Sequence, residues 1–468
     1  MEKPVFLEDY VKDLTSGNEG SLIVKFAIPM LLGNVFQQLY NTVDSIIVGN
    51  VVGKEALAAV GASFPIMFLL LSLIMGITMG ATILISQYFG AKDYEKLKKT
   101  LDTTYIFLFF GSIAISILGI LLSGPILRLM NTPQDIISQA QTYLNIIFAG
   151  MLTLFGYNAI SAILRGLGDS KTPLYFIIIA TLLNIVLDLV FVMTFGWGVA
   201  GVAWATVISQ GVSFLSGILY LNKNHDFLGI KFKGMRFDGE IFKKSLRIGL
   251  PAGVQQMLFS LGMMALQFLV NGFGTDTVAG FIAATRVDTF ASMPIFSFGA
   301  AISAFAGQNL GAGKMERVRR GHRVTLMVSV SLAFITAIFI FLLGGFMIRM
   351  FNSDPEVVRI GSNYLKIVSA FYGVVAWMFI TTGVMRGAGD TFVPMIISIL
   401  SLWLIRVPLA AIFSGFMGES GIWWSIPVAW SVGLILTLIY YRTGRWMSKV
   451  VVKNVQMGQR PPAKAESL

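Results

Sequence analysis

Twelve long apolar runs, parted by short polar breaks rich in Gly, Pro, Lys and Arg, order this chain from end to end. They fall at about 21–48, 55–87, 100–127, 134–164, 173–195, 199–221, 245–271, 277–308, 321–348, 356–385, 392–414 and 420–441. Each meets or exceeds the roughly 20 residues that a helix needs to cross a hydrocarbon layer. Backbone N–H and C=O groups in hydrocarbon must bond within their own segment, so the runs predict helices rather than open strands. Composition agrees: 55% of the 468 residues are hydrophobic and 13% are charged, against about 25% charged in soluble domains. The chain is predicted to be an all-α membrane protein with twelve transmembrane helices.

The net charge of +11 changes the picture only through its placement. The N-terminal segment, the even-numbered connections and the C-terminal segment together hold 27 of the 35 Lys and Arg, and the opposite connections hold four, Lys54, Arg128, Arg349 and Arg359. Basic residues gather on the cytoplasmic side of a membrane, so both termini are expected in the cytoplasm of a prokaryotic inner membrane. The basic surface is then topology, with contact to anionic lipid, and no nucleic acid is called for. The first twenty residues carry Glu2, Lys3, Glu8, Asp9, Lys12 and Asp13 and do not resemble a cleavable signal. With no cysteine, disulfides and thiolate sites are excluded. His225 and His322 are assigned to basic connecting segments as solvated side chains.

A repeat divides the runs into two sets of six. Leu-Arg-Gly-Leu-Gly-Asp at 164–169 returns as Met-Arg-Gly-Ala-Gly-Asp at 385–390, with Arg165 and Arg386 221 residues apart. The same offset pairs Gln87 and Gly90 with Gln308 and Gly311, Arg128 with Arg349, Asn131 with Asn352, and Tyr143 with Tyr364; Pro29 meets Pro251 one residue out of step. An even number of spans per copy makes the copies parallel, an arrangement of secondary transporters with a site between halves. The expected organisation is an N-terminal tail over 1–20, one six-helix bundle over 21–221, a linker over 222–244, a second bundle over 245–443 and a C-terminal tail over 444–468. No signature demands a dimer, and the chain is read as a monomer.

These features resemble the multidrug and toxic compound extrusion (MATE) family. The resemblance rests on AIPMLLGNVFQQLYNTVDSIIVG at 27–49, GQNLGAGK at 307–314 and the paired RGLGDSKTP and RGAGDTFVP turns, and it covers about 20–445. It implies a V-shaped fold of two six-helix bundles and an antiporter that expels amphipathic organic cations or drugs, with no cofactor beyond H⁺ or Na⁺ as coupling ion.

Polar groups within the spans carry the candidate chemistry, because an ionisable side chain in mid-bilayer costs roughly 2.5–3.5 kcal/mol or more. Asn34, Gln37, Asn41 and Asp44 repeat at helical spacing on one face of span 1. Asn184 and Asp188 share a face of span 5, span 6 offers Thr206 and Gln210, and span 4 offers Tyr157 and Asn158. The carboxylates do not recur: Asp44 corresponds to Ala265, Asn184 to Ile405 and Asp188 to Leu409. Groups absent from the second copy are not part of the shared scaffold, so they read as a function added to the first half; the bland alternative is interhelical polar glue. Two carboxylates in a low-dielectric pocket repel, so such a pair takes up a proton readily, or with neighbouring oxygens holds Na⁺. The resemblance assigns Asp44, Asn184, Asp188 and Thr206 to a first-lobe cation site with Tyr40 and Asn158 as neighbours.

The second half offers Gln256 and Met257 in span 7, Arg286 and Asp288 in span 8, Lys366 in span 10 and Arg406 in span 11. With Asn34, Gln37, Asn41 and Gln210, the first four are candidates for a substrate cavity. Asp288 is open to two readings: a carboxylate for coupling or cationic substrate, or a buried partner of Arg406 or Arg286. Lys366 is expected to snorkel. The paired turns read as helix caps, with Gly near the end of one helix and Pro173 or Pro394 at the start of the next. Gly-Ala-Gly-Lys at 311–314 is no phosphate loop, since Gln308 and Met315 stand where Gly and Ser or Thr are required. No nucleotide motif or nucleophile–His–acid set is seen, so an ion gradient supplies the energy and the chain is not an enzyme. A lipid-linked precursor flippase is the alternative; it needs a cationic cavity, for which Arg286 and Arg406 are the candidates.

Overall fold

The computed structural model describes residues 12–224, 229 and 234–452. His225, most of the linker and the outer parts of both tails lie outside them. Fifteen α-helices follow: α1 Glu19–Ile47, α2 Lys54–Gly90, α3 Tyr94–Leu129, α4 Gln134–Ala149, α5 Met151–Gly166, α6 Lys171–Asp188, α7 Gly198–Asn224, α8 Gly239–Asn271, α9 Thr275–Gly311, α10 Met315–Arg349, α11 Pro355–Ser369, α12 Tyr372–Gly387, α13 Phe392–Ile399, α14 Val407–Met417 and α15 Glu419–Arg442. Ten spans are long and apolar enough to cross a membrane, or twelve when two bent pairs each count as one.

Those bent pairs depart from the sequence pattern. The run 134–164 is read from hydropathy as one helix, yet α4 and α5 meet at 52°, and α11 and α12 meet at 50°. The first break sits at Gly150, where an added Cβ would run into Val207 of α7. The second sits at Phe371, the repeat partner of Gly150. Hydropathy reports burial in lipid, not straightness, so the bends were invisible to it. π-helical turns also interrupt the pattern, at Val48–Val52 after α1, Leu189–Thr194 after α6 and Leu400–Arg406 between α13 and α14.

His322 lies in α10, half-buried, with Nε2 3.1 Å from Thr381 Oγ1 and its ring 5.1 Å from Tyr441. Its assignment to a solvated connection is wrong because α10 begins at Met315 and absorbs the basic segment. The paired Arg-Gly-x-Gly-Asp turns are helix ends in both copies. Gly168 and Gly389 take φ of 89° and 92°, left-handed values that side chains resist. Asp169 N and Asp390 N then reach back to Leu164 O and Met385 O, as in a Schellman closure. Asp169 Oδ1 accepts from Lys171 N and Thr172 N, starting α6.

Two compact units result. The first holds Leu32–Ile85 and Asp93–Leu250; the second holds Leu14–Leu31, Ser86–Lys92 and the chain from Pro251 on. The grouping differs from a division at 21–221 and 245–443 in the ends of α1, α2 and α8. The change of unit falls two residues past Pro29 in α1 and at Pro251 in α8. In the first unit Ile66, Ile74, Leu144, Phe148, Met151 and Phe155 form the core of α2, α4 and α5. In the second, two cores gather around Phe281, Tyr364 and Trp423 and around Phe305, Val384 and Trp446.

Within the second unit the repeat meets itself. A Cβ on Gly90 would strike the Gln308 carbonyl, and a Cβ on Gly311 would strike the Gln87 carbonyl. The Gln-x-x-Gly pattern of each copy is thus one side of a reciprocal backbone crossing. The glutamines serve the chain ends: Gln308 Oε1 accepts from Leu14 N at 3.0 Å, and Gln87 Oε1 accepts from Val451 N at 2.8 Å. Lys314 donates to Thr15 O at 2.8 Å, so the lysine of the Gly-Ala-Gly-Lys stretch has a structural use.

The crossing predicts that Gly311→Ala destabilises by about 1–3 kcal/mol, since backbone must move to admit the methyl. Gly415 on α14 has open space around it, and Gly415→Ala is expected to stabilise by up to about 1 kcal/mol through helix propensity. Thermal unfolding of the two purified variants checks both signs; a harmless Gly311→Ala would refute the close crossing.

Candidate cation site

Three helices of the first unit, α1, α6 and α7, bring the predicted polar residues together. Tyr40 and Asp44 stand one turn apart near the end of α1, just before the π-helical turn Val48–Val52. Asp188 is the last residue of α6, just before Leu189–Thr194, and Asn184 precedes it by one turn. These two π-helical turns pack on each other and on α7. π-helical turns often mark functional sites because the widened ladder re-aims side chains. Here they end the straight helices where the two carboxylates face each other.

Asp44 and Asp188 carboxyls lie side by side within hydrogen-bonding reach. Tyr40 approaches Thr206 and feels both carboxylates, and Tyr143 of α4 faces the same pair. Asn184 and Asp188 are both 0% exposed, and Tyr40 is 4% exposed. Ile47, Val48, Val192, Val199 and Val202 form an apolar cluster beside the site, with Val43 and Tyr143 packed against it. The carboxylates therefore sit in a dry, low-dielectric surrounding.

What the chain does not supply to these groups is informative. Asp44 Oδ1, both oxygens of Asp188, both polar atoms of Asn184, Tyr40 Oη and Thr206 Oγ1 are buried and have no hydrogen-bond partner of strict geometry among the described residues. Thr181 Oγ1, Ser209 Oγ and Gln210 Oε1 extend the same α6–α7 seam. Buried polar atoms are normally satisfied, and exceptions call for an unmodelled water or ion. The donor set is all oxygen apart from one amide nitrogen, suited to a proton shared between carboxylates or to a hard monovalent cation. Among the described residues no group of three or more His, Cys, Asp or Glu is placed so as to hold a metal ion.

The remaining predicted residues are more dispersed. Asn158 donates to Leu154 O at 2.8 Å within α5 and is not hydrogen-bonded to the carboxylate pair. Asn34 and Asn41 are exposed and Gln37 is half-buried. In the second unit Gln256 and Met257 are half-buried on α8, and Arg286 is exposed on α9. Asp288 Oδ1 accepts from Tyr372 Oη at 2.6 Å, and Oδ2 lies 3.5 Å from Tyr364 Oη. Its pairing with Arg286 or Arg406 is not seen, since no ion pair within 4.0 Å joins them among the described residues. Lys366 is exposed, with Nζ 5.7 Å from the Phe341 ring centroid. Sequence reasoning missed Tyr143 as a neighbour of the carboxylates. Its place in the repeat beside Tyr364 was the available signal.

The profile of the MatE family matches twice, over residues 29–190 and 251–412. The chain is 37% identical to the probable multidrug resistance protein YpnP of Bacillus subtilis, over 93% of this chain and 97% of that protein. It is 28% identical to the probable multidrug resistance protein NorM of Thermotoga maritima, over 92% and 94%. A solved structure of a multidrug resistance MATE family transporter of the MOP superfamily, in an outward-facing conformation, superposes with a TM-score of 0.88 at 26% identity, over 96% of this chain and 99% of that one.

The unsatisfied carboxyl oxygens give a stability prediction. Asp188→Asn replaces one of two crowded carboxyls by a neutral side chain, so it is expected to raise the unfolding free energy by roughly 1 kcal/mol at alkaline pH, where the wild-type pair must carry both charges, in buffer free of alkali cations. Chemical denaturation of the purified variant measures this. A loss of stability would mean that a group of the chain already satisfies the carboxylate.

Proposed function

The chain belongs to the MatE family of multi-pass membrane transporters, and on that premise we propose that it is a secondary multidrug efflux antiporter exporting amphipathic organic cations in exchange for H⁺ or Na⁺. Members of the family are transporters and not enzymes. The observation that carries the proposal is the buried Asp44–Asp188 pair, whose oxygens lack donors of strict geometry. Its relatives are named for multidrug resistance and export.

In this reading Asp44, Asn184, Asp188 and Thr206 hold the coupling ion, with Tyr40 and Tyr143 shaping the pocket and Asn158 in its outer surroundings. A cation entering between the carboxylates relieves their repulsion and lowers the cost of keeping both in the dry seam. A cationic drug and the ion then compete for the same negative charge, so loading one favours release of the other. That competition is the minimum requirement for exchange. Asn34, Gln37 and Asn41 continue the polar stripe of α1 away from the pair and offer substrate a path of amide groups. The π-helical turns after Asp44 and Asp188 let local backbone shift with ion occupancy without breaking α1 or α6.

The same reading takes 21–221 and 245–443 as the two lobes and 222–244 as their linker. The charge bias supports a cytoplasmic membrane with both termini inside. A flippase cargo carrying a pyrophosphate would meet two carboxylates in the first unit, while Arg286 is exposed and Arg406 has Asp288 within electrostatic reach in the second, which disfavours it.

The test is transport of ethidium by protein reconstituted in liposomes, with a pH gradient and a Na⁺ gradient imposed separately. One gradient is expected to drive uptake or release and so name the ion. Asp44→Asn and Asp188→Asn are each expected to lower the driven rate by about tenfold or more, as for loss of an ion interaction worth at least ~1.4 kcal/mol. Transport by both variants at the wild-type rate would remove the coupling site from the first unit. Wild-type protein that moves no cation under either gradient would defeat antiport itself.

A further inference from the structure

After α15 the chain turns back into the second unit. Gly444 takes φ of 68°, a left-handed value that glycine adopts freely, and the short 3-10 turn Arg445–Lys449 follows. Arg445, Ser448 and Lys449 are exposed, whereas Trp446 and Val450 are buried. Both buried side chains sit in the core of Phe305, Leu310, Val318 and Val384. Trp446 stacks on Tyr441 at 5.2 Å and donates from Nε1 to Tyr441 O at 3.0 Å. α9, α10 and α12 build that core, and no described residue of α2 enters it.

The next residue leaves that core for a different helix. Val451 N donates to Gln87 Oε1 at 2.8 Å, and Gln87 Nε2 donates to Gly387 O at 2.9 Å. Gln87 is 0% exposed, and no other described residue donates to its oxygen. It lies in 86–92, where the end of α2 joins the second unit, although the helix before Ser86 belongs to the first. It also stands at the crossing where a Cβ on Gly90 or on Gly311 would strike backbone. Glycine meets peptide there, so the two helices can part without any side chain being withdrawn. The N-terminal segment is held differently. Leu14 N donates to Gln308 Oε1, and Asn309 Nδ2 donates to Leu14 O; both partners are on α9, so Leu14 does not reach across to α2.

We propose that 444–451 is a clasp that holds the end of α2 on α9 and must let go before the two helices part. Trp446 and Val450 fix the clasp to the core around α9, and the Val451 amide fixes it to α2, so it bridges the crossing from outside. The bond is specific to the closed arrangement. With the crossing closed, Gln87 Oε1 is shut away from water and depends on Val451 for its donor; once the end of α2 moves off, water reaches the oxygen. Loss of the Val451 N–H therefore penalises the closed arrangement alone, because only there does it leave a buried acceptor unmet. The inference rests on the crossing and not on the ion or cargo read above.

The chain has no cysteine, so Ser86→Cys supplies the only thiol. Ser86 is 0% exposed and lies at the crossing, where a Cβ on Gly307 would meet its own Cβ at 2.8 Å. The rate at which N-ethylmaleimide labels Ser86→Cys in the full-length protein in liposomes then reports how often the crossing opens. Val451→Pro deletes the one donor, and Val450 at φ −57° and ψ 125° already has the backbone that a residue before proline prefers. Added to Ser86→Cys, it is expected to speed labelling about tenfold. Val451→Ala keeps the N–H and should leave the rate unchanged. Equal labelling with Pro and with Ala at 451 overturns the proposal. The wild-type chain gives a second test that needs no variant. Hydrogen exchange read by mass spectrometry, corrected for intrinsic rates, should show 447–452 and 86–92 opening together as one unit. If 447–452 exchanges about a hundredfold faster than 86–92, the segment frays by itself and the clasp is refuted, whatever the fate of Val451→Pro.

Discussion

A polar group in hydrocarbon has no water to fall back on, so every donor and acceptor in this chain must find a partner inside the protein or draw one in from outside. The backbone answers with helices, and the turns between them answer with caps such as Asp169 on Lys171 and Thr172. Side chains that repeat between the copies mostly obey the same rule. Gln87 and Gln308 bond chain ends, and Arg386 donates to Gln255 Oε1 at 2.9 Å. Against that background the few buried groups that remain unanswered stand out. Asp44 Oδ1 and both oxygens of Asp188 are buried with no donor of strict geometry among the described residues. Acceptors left in this state are what a proton or a hard cation can answer.

The sequence pattern reached far into this arrangement where spacing and chemistry coincide. Spans with uninterrupted apolar runs read directly as helices, and the Arg-Gly-x-Gly-Asp turns read as caps because only glycine takes the backbone angle needed after Arg165 and Arg386. Helical spacing joined Asn184 to Asp188, absence from the second copy set these two and Asp44 apart, and the family resemblance added Thr206 to the set. Other features were closed to that reading for physical reasons. The breaks at Gly150 and Phe371 preserve hydropathy while changing direction. The π-helical turns alter the hydrogen-bond register without altering composition. Tyr143 reaches the carboxylates from another helix, so no spacing along one face could reveal it. His322 was misplaced because a charged first turn of a helix has the composition of a loop.

The two copies show how one scaffold comes to hold different chemistry. Their shared residues are those that fix geometry: caps, the reciprocal Gly90–Gln308 and Gly311–Gln87 crossing, and the paired tyrosines Tyr143 and Tyr364. The charges they share, Arg165 with Arg386 and Asp169 with Asp390, sit at helix ends. The acids within the spans differ: Asp44 and Asp188 of the first copy meet Ala265 and Leu409 in the second. Leu409 fills the place of Asp188 without disturbing the helix, so the acid in the first unit is a cost the fold does not impose.

A symmetrical pair of acidic sites would give both units the same preference, and a cation bound in either would be equally at home in the other. Placing the carboxyl pair in one unit and leucine and alanine at its counterparts in the other removes that degeneracy. Selectivity in such a protein resides less in the fit of its walls than in the few buried charges that the walls leave unanswered.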